Sequence, residues 1–136
     1  MKVEADVPSI LVKDGVMNND LHSSNKGVVN IEDILRDSPS PSWSKRIIDT
    51  DSNSATLICQ NPGEGNREHY HPDWNEWWYI IDGSWEWQIE EETVIVNKGD
   101  IVLIEKGKLH KITAVGDKPA IRLAVSRADV DHVYPD

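Results

Sequence analysis

Apolar and polar positions settle into a short-period rhythm from Trp43 onward. Runs of β type, WSKRIIDT (43–50), SATLICQ (54–60), WWYIID (77–82), SWEWQIE (84–90), ETVIVN (92–97), IVLIE (101–105), HKITAV (110–115) and AIRLAVS (120–126), alternate with breaks rich in Gly, Asp, Asn and Pro. Short strands at regular spacing with Gly or Asp turns predict an all-β sandwich or barrel. SWEWQIE alternates most cleanly, placing Trp85, Trp87 and Ile89 on one face and Ser84, Glu86, Gln88 and Glu90 on the other. The Asp82-Gly83 pair between two such runs predicts a hairpin.

Before Trp43 the pattern is different. Residues 1–26 mix a short apolar run with turn formers and read as an extended arm with a loop. NIEDILRDSPSP (30–41) predicts one short helical segment, capped by Asn30 and ended by Pro39 and Pro41. The expected organisation is a single domain, with an N-terminal arm and short helix over 1–42 and a β-barrel over 43–136.

Composition narrows the partners. The 136 residues carry 24 acids against 14 Lys and Arg, a net charge of −10, and show no basic stripe. That excludes a nucleic-acid groove and disfavours an anionic membrane surface, so neither partner is expected. Six Trp and no Phe supply large rings with a polar N–H, which suits a lined cavity. A lone Cys59 inside TLICQ reads as a structural thiol in a reducing compartment. The N-terminus has no signal-peptide core, and a cytoplasmic protein is expected.

The chemistry gathers in EHYHPDWNEWWYIIDG (68–83). On a strand, residues two apart share a face, so Arg67, His69 and His71 lie together opposite Glu68 and Tyr70. Pro72 and Asp73 break that run. Glu76, Trp78 and Ile80 then share a face of the next strand. If the two faces meet, two imidazoles and a carboxylate converge, a donor set for divalent iron, manganese, nickel, copper or zinc. His110, after the turn EKGK, is the candidate fourth ligand. Such a set leaves open positions, in the style of a catalytic rather than a structural site. His22 and His132 fall in a loop and a tail and receive no role. Trp78, two residues after Glu76, is the ring expected to line the pocket.

These residues carry a family resemblance. The run Gly63, His69, His71, Glu76, Gly83 resembles the first cupin motif, G-x(5)-H-x-H-x(3,4)-E-x(6)-G, at every fixed position. Gly99, Gly107 and His110 resemble the second, G-x(5)-P-x-G-x(2)-H-x(3)-N, with Glu105 in place of the Pro and Ala114 in place of the Asn. The resemblance implies a double-stranded β-helix, the cupin jelly-roll barrel, binding one metal ion per chain through His69, His71, Glu76 and His110. A homodimer is expected, as in many cupins.

A finer resemblance links Arg67, Tyr70-His71 and Glu76-Trp77-Trp78-Tyr79 to the 3-hydroxyanthranilate 3,4-dioxygenase family, iron cupins with R-x-x-Y-H and E-W-F-Y elements. There the Arg helps hold dioxygen and substrate, which implies a catalytic and substrate-binding role for Arg67. The match departs at His69, where that family carries an acid, and in the His71–Glu76 spacing, one residue shorter here. Its downstream Arg falls on Ala114 and its substrate-binding Glu near Ser126. Arg122, of the same strand parity as Ser126, is the candidate replacement. The leading expectation is therefore an Fe(II)-dependent dioxygenase taking dioxygen and a small aromatic or carboxylated substrate, with Arg67, Trp78 and Arg122 lining the pocket. The alternatives are a lyase, isomerase or cyclase using the metal as a Lewis acid, and a non-catalytic cupin that binds a small ligand.

Overall fold

The computed structural model describes residues 2–4, 18–20, 23, 25–127 and 132–135. Eight strands follow the eight alternating runs: β3 (Trp43–Asp49), β4 (Ser54–Gln60), β5 (Glu76–Asp82), β6 (Ser84–Ile89), β7 (Glu92–Asn97), β8 (Ile101–Ile104), β9 (His110–Val115) and β10 (Ala120–Ser126). Three more are short: β1 (Lys2–Glu4), β2 (Asn18–Asp20) and β11 (His132–Tyr134). Six strands form one sheet in the order β2-β3-β4-β10-β5-β8, three form a second in the order β7-β6-β9, and β1 pairs with β11. Every pairing is antiparallel except β2 with β3. The architecture is the all-β double-stranded β-helix.

Alternation builds the core. On β5 the even positions Glu76, Trp78 and Ile80 are buried and Trp77 and Tyr79 are exposed. On β6 the odd positions Trp85 and Trp87 are buried. These faces meet between the two sheets, where Trp78, Ile80, Trp85, Trp87, Ile104 and Ile112 form one cluster. Each buried tryptophan removes on the order of 150–250 Å² from water, so these rings dominate the interior. The opposite face of the large sheet packs a second cluster, Trp43, Ile47, Ala55, Leu57 and Cys59, beneath Ile34 and Leu35 of the helix α1 (Ile31–Asp37). With both faces covered, β4 is buried along its whole length. Burial, with the nearby charges of Glu64 and Asp82, pushes the Cys59 thiol up to about 11, consistent with a structural role.

Helix α1 starts where Asn30 accepts a hydrogen bond from the Asp33 amide at 3.1 Å, the expected N-cap. The expected hairpin at Asp82-Gly83 does not form. β5 pairs with β8 and β10, whereas β6 pairs with β7 and β9, so Asp82-Gly83 is a corner where the chain changes sheet. Gly83 has φ +75°, and a Cβ there would lie 2.7 Å from Ala120 Cα, so glycine is required on both counts. Among the described residues no helix is long and apolar enough to cross a membrane.

Candidate metal centre

The segment before β5 is laid along β9 by backbone bonds. Gly63 N donates to Ala114 O at 2.7 Å, Asn66 N to Ile112 O at 3.0 Å, and His69 and His110 exchange both backbone bonds at 3.0 and 2.8 Å. Gly65 permits this approach, since a Cβ there would meet the Ile112 carbonyl oxygen at 1.9 Å. Residues 67–71 are thus not the regular strand expected from the sequence but a segment held by isolated bridges, His69 to His110 and Tyr70 to Val133. The side-chain alternation holds for His69 and His71, which are buried, against Glu68, which is exposed, whereas Arg67 and Tyr70, expected on opposite faces, are both half-buried.

This arrangement brings His69, His71 and His110 together with Glu76, the first residue of β5. Ring centroids lie 4.9 Å apart for His69–His71, 4.3 Å for His69–His110 and 5.2 Å for His71–His110. Glu76 Oε1 sits 3.3 Å from His71 Nε2. The ligand atoms of His71, Glu76 and His110 all fall within 4.8 Å of one another.

Local hydrogen bonds orient the imidazoles. His69 Nδ1 lies 2.6 Å from the Arg67 carbonyl and His110 Nδ1 2.9 Å from the Lys108 carbonyl. A carbonyl only accepts, so each Nδ1 carries the proton and each Nε2 keeps a lone pair for the cluster. The same arrangement commonly fixes the tautomer of a metal-binding histidine.

Protonation states follow from burial and mutual charge. Burial, reinforced by the other histidines, holds His69 well below the usual imidazole range. Burial likewise lowers His110 to about 4, against a raising pull from Glu76. Burial alone would raise the Glu76 carboxyl, but His71, with weaker help from His110 and His132, brings it down to about 2. At neutral pH the cluster therefore presents neutral His69 and His110 rings and an ionised carboxylate. Among the described residues His110 Nε2 is buried without a hydrogen-bond partner. Neutral imidazoles, a carboxylate and an orphaned lone pair aimed inward fit a divalent transition metal.

The proposed pocket residues take distinct places. Trp78 is 2% exposed, edge-on to Trp87 at 5.0 Å and 6.2 Å from His110, so it borders the cluster. Arg122 is equally buried, its guanidinium 4.9 Å over the Trp78 ring and 4.5 Å over Trp85, while Nη1 donates to Gln60 Oε1 at 2.7 Å. Its guanidinium thus packs against two of the core tryptophans, Trp78 and Trp85. The Arg67 guanidinium stacks 3.9 Å over Tyr134, whose ring is 5.7 Å from His69.

One histidine that received no role belongs here. His132, on β11, stacks on His69 at 4.9 Å with 28° between planes and meets His71 edge-on at 4.4 Å. Its ligand atom lies within 4.8 Å of those of His69 and His71. No local motif marks it. Only the alternation of His132 and Tyr134 about Val133 hints that both turn to one side. His22 lies outside the described residues. A separate cleft of about 610 Å³, between α1 and β2–β3, holds Lys26, Lys45, Asp20 and Asp33 and is lined by none of the cluster residues.

The cupin domain family model matches residues 56–126. The chain belongs to the cupin family. Within this cupin, 59 residues are 34% identical to the tetracenomycin polyketide synthase protein TcmJ of Streptomyces glaucescens, covering 43% of the chain and 40% of that protein. A stretch of 64 residues is 33% identical to the polyketide synthase CurC of Streptomyces cyaneus, covering 47% and 42%. The chain thus spans about two fifths of the length of these relatives. Among solved structures, BH2720 of Bacillus halodurans superposes with a TM-score of 0.69 at 19% identity, over 86% of this chain and 88% of that one. That likeness concerns the fold alone.

Proposed function

We propose that this cupin is a metal-dependent enzyme that acts as a cyclase on a small, carbonyl-rich molecule of polyketide type. The observation that carries the proposal is the buried cluster of His69, His71, Glu76 and His110, with the His110 Nε2 lone pair left for a ligand. The substrate class is drawn from the two polyketide synthase relatives. A divalent ion held by these residues would supply Lewis acidity, polarising a carbonyl oxygen so that a neighbouring C–H becomes acidic and the carbonyl carbon electrophilic.

The chain's own residues do the rest. Trp78 and Trp87, buried edge to face beside His110, would form the apolar wall of the site and keep water from it. Arg67, half-buried against Tyr134, supplies positive charge near His69 for an anionic or enolate oxygen. Arg122, stacked over the Trp78 and Trp85 rings, would hold Trp78 in orientation.

A second reading rests on one observation. His71, Glu76 and His110 are two imidazoles and one carboxylate in mutual reach, the donor combination of non-haem iron(II) oxygenases. On that reading the enzyme takes dioxygen and a small aromatic or carboxylated substrate. A homodimer is part of either proposal. Exposed Trp77, Tyr79, Ile101 and Leu103 on the outer face of β5 and the edge strand β8 are the surface in its favour.

The test compares two assays on protein loaded with one metal at a time. Incubation of the zinc- or iron(II)-loaded protein with linear poly-β-carbonyl thioesters should give ring-closed products by mass spectrometry, absent after chelation. Oxygen uptake by the anaerobically reconstituted iron(II) protein with catechols, aminophenols or hydroxyanthranilates, without ring closure, would replace the cyclase reading with the dioxygenase one.

A further inference from the structure

The C-terminal strand places His132 beside the histidine cluster from outside both motif stretches. Backbone pairing sets its position: β11 lies antiparallel to β1 with Glu4 opposite His132, and Tyr70 and Val133 exchange backbone bonds at 3.1 and 2.9 Å. That bridge is one residue from both His69 and His71. Val133 and Tyr134 are buried at 5% and 1%, so the strand is packed into the barrel rather than trailing from it.

The rings arrive at a telling separation. An imidazole bound to an ion at about 2.1 Å has its centroid roughly 3 Å from the ion, so two bound at adjacent positions have centroids roughly 4–5 Å apart. The separations for His69–His71, His69–His110, His71–His110, His69–His132 and His71–His132 are 4.9, 4.3, 5.2, 4.9 and 4.4 Å. Two sets of possible ligand atoms, His71-Glu76-His110 and His69-His71-His132, each lie within 4.8 Å. Neither set holds all five residues, and His71 is common to both. The shared His71 sets His132 beside the same cluster that His110 and Glu76 enter.

We propose that His132 is a fifth protein donor to the ion held by His69, His71, Glu76 and His110, delivered by the β1–β11 strand pair acting as a latch. The proposal rests on the metal-dependent reading above and sharpens it. Five protein donors leave a six-coordinate ion one open position. That suits polarisation of a single substrate carbonyl better than simultaneous binding of substrate and dioxygen.

The test uses the full chain, stripped of metal by a chelator and titrated with Co(II) as the probe. Wild-type protein should bind one Co(II) per chain and show Co(II)-shifted proton signals from four histidine rings. His132→Ala and His132→Gln should each lower Co(II) affinity by about tenfold or more, alter the visible Co(II) spectrum, and leave three shifted rings. Unchanged affinity and spectrum in both variants would overturn the proposal. So would three shifted rings in the wild type, a result that needs no variant to fold. His110→Ala separates the two claims. If it abolishes Co(II) binding while the His132 variants do not alter it, the metal reading stands and the fifth donor falls. If no variant matters, both fall.

Discussion

His71 Nε2 and Glu76 Oε1 lie 3.3 Å apart, although Pro72 and Asp73 break the chain between them. The break lets the imidazole approach from the β9 side of the barrel while the carboxylate enters on the first residue of β5. A buried carboxylate is costly unless paired, and this one is held ionised mainly by its neighbouring imidazole.

Replacing that carboxylate should separate binding from folding. Glu76→Gln keeps the shape but removes the charge and one strong donor. Metal affinity is expected to fall by more than the roughly 10–100-fold typical of residues that only support a ligand. Isothermal titration of the chelator-stripped protein measures it, and affinity within a factor of about three of wild type would remove Glu76 from the ligand set.

The metal-free protein should lose stability as pH falls, in two windows. His69 and His110 are held below their ordinary value near 6.5, His110 at about 4, so the unfolded chain takes up protons first. Stability from this source is complete above about 6.5 and declines toward pH 4, by on the order of 1–3 kcal/mol. Glu76, lowered from 4.5 to about 2, adds a second loss across that lower interval. Urea unfolding of chelated protein at pH 7, 6, 5, 4 and 3 should show a falling midpoint. A flat profile would mean that the imidazoles are not held neutral.

Trp78 and Arg122 should act as one unit. Trp78→Ala opens a cavity between Trp87 and the Arg122 guanidinium, with an expected loss of about 3–5 kcal/mol. Arg122→Lys keeps the charge but loses the flat group stacked on Trp78 and Trp85 and the Nη1 bond to Gln60. A double-mutant cycle by denaturant unfolding should give a coupling of about 0.5–3 kcal/mol. Strict additivity would deny the bracing role.

Gly83→Ala should destabilise severely. The residue needs φ +75°, and its new methyl would sit 2.7 Å from Ala120 Cα and 2.8 Å from Ala120 Cβ. Gly99→Ala pays only the backbone cost, since no atom lies within 4 Å of the added carbon. Thermal unfolding should rank Gly83→Ala well below Gly99→Ala.

Much of the fold was legible because it rests on alternation. The buried faces of β5 and β6 follow directly from period-two patterning of Trp78, Ile80, Trp85 and Trp87. Non-local pairing was not legible. Asp82-Gly83 has hairpin chemistry, yet β5 and β6 take their partners from distant segments, and the turn becomes a corner between sheets. The motif spacing brought His69, His71, Glu76 and His110 into one reading because each lies on a short local pattern. His132 escaped it: its place depends on β1, more than a hundred residues away, and on a bridge to Tyr70. Likewise the depth of Arg122 reflects ring packing from two strands, which strand parity alone does not reveal.

Direct metal analysis tests whether His69, His71, Glu76 and His110 form a metal centre. Elemental mass spectrometry of the purified full chain, alongside Glu76→Gln and His110→Ala, should find one divalent transition metal per wild-type chain. Both variants should be depleted while retaining the wild-type far-ultraviolet spectrum. Metal-free wild-type protein that also takes up none of iron(II), zinc or cobalt(II) on titration would contradict the claim.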